Sequence, residues 1–225
     1  VLWTLLNPLL MMVILSVVFS NLMKFDIENY SLYILTGQIL FTFYNEATSG
    51  SMTAILGNAS LIKKVYIPKY LFVLSRVASS GINILSSFCA LILVMLFTRT
   101  ELHFTMFLSI IPIVYLMIFS LGIGLILAAL TVKFRDVMHL YTVFLTALMY
   151  LTPIIYPLSM LPDKVRFIVN LNPLTGILGI FRDVMIYNRI PSVWEFLLFL
   201  LIVLATLVLG LWVFYKQQDE FILNL

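Results

Sequence analysis

A single cysteine, two histidines and few charges bound what this chain can do. Cys89 stands inside an apolar run with no second cysteine, so one chain can form neither a disulfide nor a thiolate metal site. No G-x-x-x-x-G-K-S/T stretch occurs, so the chain has no phosphate-binding loop of its own for ATP. H-E-x-x-H and G-x-S-x-G are absent too, which removes the zinc-protease and serine-hydrolase signatures. Only 10% of the residues are charged, against about 25% in a typical soluble domain. In their place stands hydrocarbon: 63% of the 225 residues are hydrophobic and mean hydropathy is +1.12. Water cannot solvate so much apolar surface, so lipid must be the solvent for most of the chain. The class implied is an all-α polytopic membrane protein forming a single transmembrane domain over residues 1–225.

Six stretches are long and apolar enough to cross a hydrocarbon core of about 30 Å as helices. They lie near 2–23, 32–56, 71–97, 106–131, 137–157 and 194–215. The segment between the last two differs. It holds Pro162, Pro173 and Pro191, two asparagines in "NLNPLTG", and apolar runs such as "RFIVNL" and "GILGIF" that are too short to cross. Short interfacial or re-entrant helices are expected there. The opening "VLWTLLNPLL" lacks methionine, the basic start and the cleavage site of a signal peptide. It reads as a true span whose upstream flank is missing.

Orientation follows from the basic residues in short loops. With the start of the first span cytoplasmic, Lys63, Lys64, Lys69, Arg76, Lys133, Arg135 and Lys216 lie inside. The two short outside loops then hold only Lys24 and Arg99. Lys164, Arg166, Arg182 and Arg189 fall in the longer outside segment, where the rule is weaker. Both termini are therefore placed in the cytoplasm. His103 and His139 fall on opposite sides in this topology and cannot share a metal.

Polar residues inside the spans follow helical spacing. At about 100° per residue, Gln38, Thr42, Asn45, Glu46, Ser49 and Thr53 gather on one side of the second span. Arg76, Ser80, Asn83 and Ser87 make a similar stripe on the third. In the fourth, Ser120, Gly124 and Ala128 recur every four residues, a small-residue series that lets helix backbones approach closely. Packing accounts for such stripes as well as pathway lining does. Glu46 is costlier, because a carboxyl at membrane depth belongs in a wet cavity, a pairing or a proton site. Two readings stand for it: a functional carboxyl, or one wetted near a helix end or held neutral by a hydrogen bond.

The first cytoplasmic loop reads "GNASLIKKVYIPKYLFVLSRV". Topology and anionic lipid explain the lysines but not the apolar and aromatic residues between them. A short amphipathic turn ending before Pro68 would offer a face to a partner. The second loop, "TVKFRDVMH", carries Lys133 and the adjacent pair Arg135 and Asp136.

Five stretches in this order carry a resemblance: "LWTLLNPLLMMVILSVVFS", "NASLIKKVYIP", "FRDV", "TPIIYPLSMLP" and "LNPLTGILGIFRD". Together they make the chain similar to the permease subunits of type-2 ABC exporters. The branch it resembles exports polysaccharides and polyol phosphates such as O-antigen and wall teichoic acid. The resemblance implies a homodimer of six-span subunits in the bacterial cytoplasmic membrane, enclosing a conduit for a lipid-linked polymer. A separate cytoplasmic P-loop ATPase, in two copies, would bind MgATP and drive it, and this chain would hold no cofactor. Leu61, Ile62, Lys63, Lys64, Tyr66, Pro68 and Lys69 match the element that couples to the ATPase, and Lys133, Arg135 and Asp136 fall in the second cytoplasmic loop. Asn172, Pro173 and Arg182 fall in the segment that re-enters the outer face. A conduit for sugars is expected to be wide and lined by aromatic and hydroxyl groups. Candidates are Phe41, Thr42, Tyr44, Asn45, Glu46 and Ser49 on the second span, and Tyr141, Tyr150 and Tyr156 on the fifth, where Tyr156 also suits the interfacial aromatic belt. The alternatives are an ABC permease for a drug or simple lipid and, behind it, a membrane-embedded glycosyl or phosphoryl transferase. The transferase would want clustered acidic, histidine or arginine residues that this chain barely supplies.

Overall fold

The computed structural model describes residues 6, 9–15, 17, 18, 27, 29–101 and 103–221, and all regular structure among these is helical. Of the first expected span, 2–23, residues 6, 9–15, 17 and 18 are helical and Met12 is buried. The rest of that span lies largely outside the described residues. Then follow α1 (Tyr30–Gly57), the short α2 (Ala59–Lys64) and α3 (Tyr70–Phe97). A 3-10 turn (Phe104–Ser109) leads into α4 (Ile110–Lys133), and α5 spans Val137–Leu151. The segment beyond carries a 3-10 turn (Leu158–Met160), α6 (Asp163–Asn170) and α7 (Pro173–Met185), before α8 (Val193–Gln217).

Among the described residues, three helical stretches are long and apolar enough to cross a membrane: Tyr70–Phe97, Phe104–Lys133 and Val193–Glu220. The helix α1 is just as long, at 28 residues, but far more polar. Its position explains the tolerance. It packs against α3, α4, α5 and α7, so more than half of its residues are buried in protein rather than facing lipid. Leu35, Ile39, Phe43 and Ala47 of α1, Leu116 and Phe119 of α4, and Phe181 of α7 form the middle of the main core.

Small residues set the closest approaches. Ser120, Gly124 and Ala128 are all buried, with Gly124 against Ser51 of α1, as the four-residue series requires. At Gly122 and Gly210, α4 and α8 touch backbone to backbone. A Cβ built on Gly210 would sit 2.3 Å from the Gly122 carbonyl oxygen, and one on Gly122 would sit 2.7 Å from the Thr206 carbonyl oxygen. No side chain fits between them.

One expected boundary moves. The helix anticipated over 137–157 closes at Leu151, because Pro153 drives Thr152 out of the helical region to φ −90°, ψ 133°. Fifteen residues rise about 22 Å, short of a full crossing. The remaining residues, 152–157, continue without helical structure, and their carbonyls need partners from elsewhere.

Candidate functional site

Those partners converge from two other elements. Arg182, near the end of α7, is 5% exposed and points into the protein. Its guanidinium donates to the carbonyls of Pro153 at 2.6 Å, Tyr33 at 2.9 Å and Ile154 at 3.1 Å, and its Nε to the Thr36 hydroxyl at 3.4 Å. It also stacks on the Tyr33 ring, 3.5 Å from its centre. The hydroxyls of Tyr30 and Tyr33 donate to the Ile155 and Tyr156 carbonyls, at 2.7 and 3.1 Å. Every carbonyl from Pro153 to Tyr156 is thus satisfied by a side chain from α1 or α7. Burial lowers the Arg182 pKa from 12.5 to about 10, so it stays a cation at neutral pH. Gly37 of α1 leaves room for it: a Cβ there would lie 2.8 Å from the guanidinium.

At the start of α7, "LNPLTG" makes a helix cap. The Asn172 side chain accepts from Leu174 N–H at 3.1 Å, Pro173 occupies the first turn, and the Asn172 amide donates to the Thr152 hydroxyl at 3.0 Å. Asn172→Ala removes both contacts. The expected loss is about 1 kcal/mol for the cap, seen as a drop of roughly 2–4 °C in the melting temperature of purified protein.

Between the two ends of the bundle, α1 shows one face that protein does not cover. Thr42, Asn45, Glu46 and Thr53 are exposed and Ser49 is half-buried, on a helix otherwise enclosed. The Ser49 hydroxyl donates to the Asn45 side-chain oxygen Oδ1 at 3.1 Å. Across the gap to α3, the Asn83 amide donates to Glu46 Oε2 at 3.2 Å. Arg76 is exposed and runs alongside Gly50, whereas Ser80 turns into the core. The two expected stripes therefore meet around Glu46, Asn83 and Arg76. The aromatic candidates separate from them. Tyr44 and Tyr141 are buried, Tyr44 against Phe119 with ring centres 5.9 Å apart and Tyr141 donating to the Thr48 hydroxyl at 2.7 Å. With Phe144 and Leu148 they border a cavity of about 340 Å³ between α1, α4 and α5, which Asn172 and Pro173 also line. Phe41 is half-buried, Tyr150 is exposed, and Tyr156 bonds the Tyr150 carbonyl.

The two basic loops lie at the opposite end of the bundle from Arg182. In the first, Leu61, Lys63, Lys64, Val65, Tyr66 and Pro68 are exposed, Tyr66 almost completely. Ile62 is buried, and the Lys69 ammonium donates to the Gln218 carbonyl. In the second, Arg135 and Asp136 are exposed and Lys133 faces Glu220 at 3.7 Å.

A polar face on an enclosed helix and a basic, aromatic loop at one end of an apolar bundle are features of a transport subunit. The family model for ABC-2 type transporters matches residues 1–186. The chain belongs to the ABC-2 type transporter family. Among its relatives are proteins named O-antigen export system permease protein RfbA, two of them as follows. The one from Klebsiella pneumoniae is 29% identical over 222 residues, covering 98% of this chain and 85% of the relative. The one from Myxococcus xanthus is 29% identical over 230 residues, with the same coverage. The polysialic acid transport protein KpsM of Escherichia coli is 23% identical over 226 residues, covering 99% and 87%.

Membership makes this ABC-2 chain a multi-pass membrane transport component rather than an enzyme, working with a separate ATPase. Sequence reasoning named Arg182 only as part of an outer segment. It did not find Tyr30, Tyr33 or the turn at Gln218 as partners of other elements. A proline ending a helix in "TPIIYP" signals carbonyls in need of donors, but nothing local says which residues supply them.

Proposed function

We propose that this chain is the membrane-spanning permease subunit of an exporter that moves a lipid-linked polysaccharide or polyol-phosphate polymer out across the bacterial cytoplasmic membrane. Two copies, each with six spans and both termini in the cytoplasm, would enclose the conduit, and two copies of a P-loop ATPase carrying MgATP would drive it. The observation that carries this reading is the row of exposed Thr42, Asn45, Glu46 and Thr53 with half-buried Ser49 among them. Lipid does not stably cover a carboxylate and an amide at mid-helix, so a second subunit and a hydrated polar cargo are the fitting neighbours. The names of the relatives supply the class of cargo. Hydroxyl-rich polymers exchange hydrogen bonds readily along such a row, and half-buried Phe41 on the same helix offers a ring on which sugars stack, whereas Tyr150 is exposed on α5. Tyr44 and Tyr141 support the wall from behind. Asn172, Pro173 and Arg182 belong to the segment that closes the outer end.

Leu61, Lys63, Lys64, Tyr66 and Pro68 are the surface offered to the ATPase, with Arg135 and Asp136 beside them. Ile62 and Lys69 act from inside, holding that surface in place. The test is purification of the full-length tagged protein by mild extraction, with and without Lys63→Glu and Lys64→Glu together. A P-loop ATPase is expected to copurify with the parent. Charge reversal is expected to cut polymer export at least about tenfold while the protein still elutes as a single species. Absence of any ATPase, with export untouched by the double change, would overturn the reading and leave the lysines as topology signals.

A further inference from the structure

Beyond α8 the chain makes a turn that belongs to neither loop but touches both. Residues 218–220 fold back and carry Phe221 to a position where it is only 2% exposed. Its ring stands edge-on to Phe214, centre to centre 5.3 Å. It shares a small core with Ile62 of α2, Val73 of α3 and Val132 of α4. From the first loop, the Lys69 ammonium donates to the Gln218 carbonyl and lies 5.6 Å from the centre of the Phe221 ring. From the edge of the second loop, Lys133 pairs with Glu220 at 3.7 Å. That pair is half-exposed and contributes little by itself. The weight rests on the buried ring.

We infer that Phe221 is a positioning residue, the centre of a clamp in which the turn at 218–221 fastens both loops to the end of α8. Clamped in this way, Leu61, Lys63, Lys64 and Tyr66 of the first loop and Arg135 and Asp136 of the second present one rigid surface. A partner pushing on that surface would then move α8 and α4 together, rather than bending a loose loop. This inference rests on the proposed function for the identity of the partner, though the clamp itself does not depend on it.

The test separates the two. Cys89 is the only cysteine, so a Cys89→Ser background accepts spin labels at cysteines replacing Lys64 and Arg135, both exposed. Pulsed electron paramagnetic resonance on the full-length protein in nanodiscs is expected to give a narrow distance distribution. Phe221→Ala is expected to widen it at least twofold, and Phe221→Leu, which keeps most of the apolar volume, is expected to restore it. If Phe221→Ala does not yield monodisperse protein, Lys69→Met, which removes the donor to the Gln218 carbonyl and the cation beside the ring, is expected to broaden the same distribution. An unchanged width in the variants that fold overturns the clamp. With the ATPase bound, Phe221→Ala is expected to keep ATP turnover within about twofold and lose at least fivefold in export. A widened distribution with full export would overturn the positioning role. Failure of any ATPase to copurify bears on the proposed function alone, and the distance distribution still decides the clamp.

Discussion

Replacing Arg182 with methionine is expected to lower the melting temperature of the detergent-purified protein by about 10 °C. Methionine roughly keeps the volume and removes every donor. Three buried carbonyls, on Tyr33, Pro153 and Ile154, then lose a charge-assisted hydrogen bond each. The Tyr33 carbonyl keeps the Thr36 hydroxyl and the Pro153 carbonyl keeps the Tyr33 hydroxyl, so the Ile154 carbonyl alone is orphaned. One orphaned carbonyl at about 1–3 kcal/mol plus two lost bonds to a charged donor, partly offset by relaxation of the extended segment, gives an expected loss of about 3–5 kcal/mol. For a protein of this size each kcal/mol corresponds to roughly 2–4 °C. Arg182→Lys is the discriminating variant. Lysine keeps the charge but cannot spread donors over three carbonyls or stack flat on Tyr33, so it is expected to recover less than half of the loss. If lysine restored full stability, charge alone would be responsible and the fan of hydrogen bonds would be incidental. Limited proteolysis is expected to cut between residues 152 and 162 in Arg182→Met and not in the parent.

The second large effect is expected at the crossing of α4 and α8. Gly210→Val places a Cβ 2.3 Å from a backbone carbonyl oxygen of Gly122, and backbone in a helix cannot swing aside as a side chain can. The helices must separate, which is expected to cost at least the roughly 3 kcal/mol at the upper end of overpacking in cores. Protein yield in the membrane and the monodisperse fraction should both fall. Gly179→Ala provides the comparison, since a Cβ there meets nothing within 4 Å. In a helix interior, alanine in place of glycine favours the fold by about 0.5–1 kcal/mol, so this variant is expected to melt at or slightly above the parent. Equal behaviour of the two variants would mean that the crossing distance is not limiting.

The sequence made α3, α4 and α8 legible because their lipid-facing sides leave long apolar runs that need no knowledge of neighbours. It made α1 legible in a different way, through the spacing of Thr42, Asn45, Glu46, Ser49 and Thr53, which the fold keeps on one open face. The end of α5 was harder to place. "TPIIYP" is as apolar as a helix, but apolarity reports burial rather than backbone conformation, and Pro153 decides the latter. Arg182 is one of four basic residues between α5 and α8, and its inward turn depends on groups 146 and 149 residues away on α1. Lys63 and Lys69 look alike in sequence. Only the turn that brings Gln218 and Phe221 beneath the first loop makes one of them a surface residue and the other a fastening.

The enclosure of α1 has a consequence for how the molecule is made. A segment carrying Gln38, Asn45 and Glu46 partitions into lipid less readily than its neighbours; Glu46 gains its partner only when Asn83 of α3 arrives, and the opposite sides of the helix are covered only by α4, α5 and α7. Biogenesis of this protein therefore cannot be a string of independent insertions. The α1 segment enters the membrane early in the chain and settles there only when later helices arrive, so synthesis interrupted before α4 leaves its central helix without a stable home.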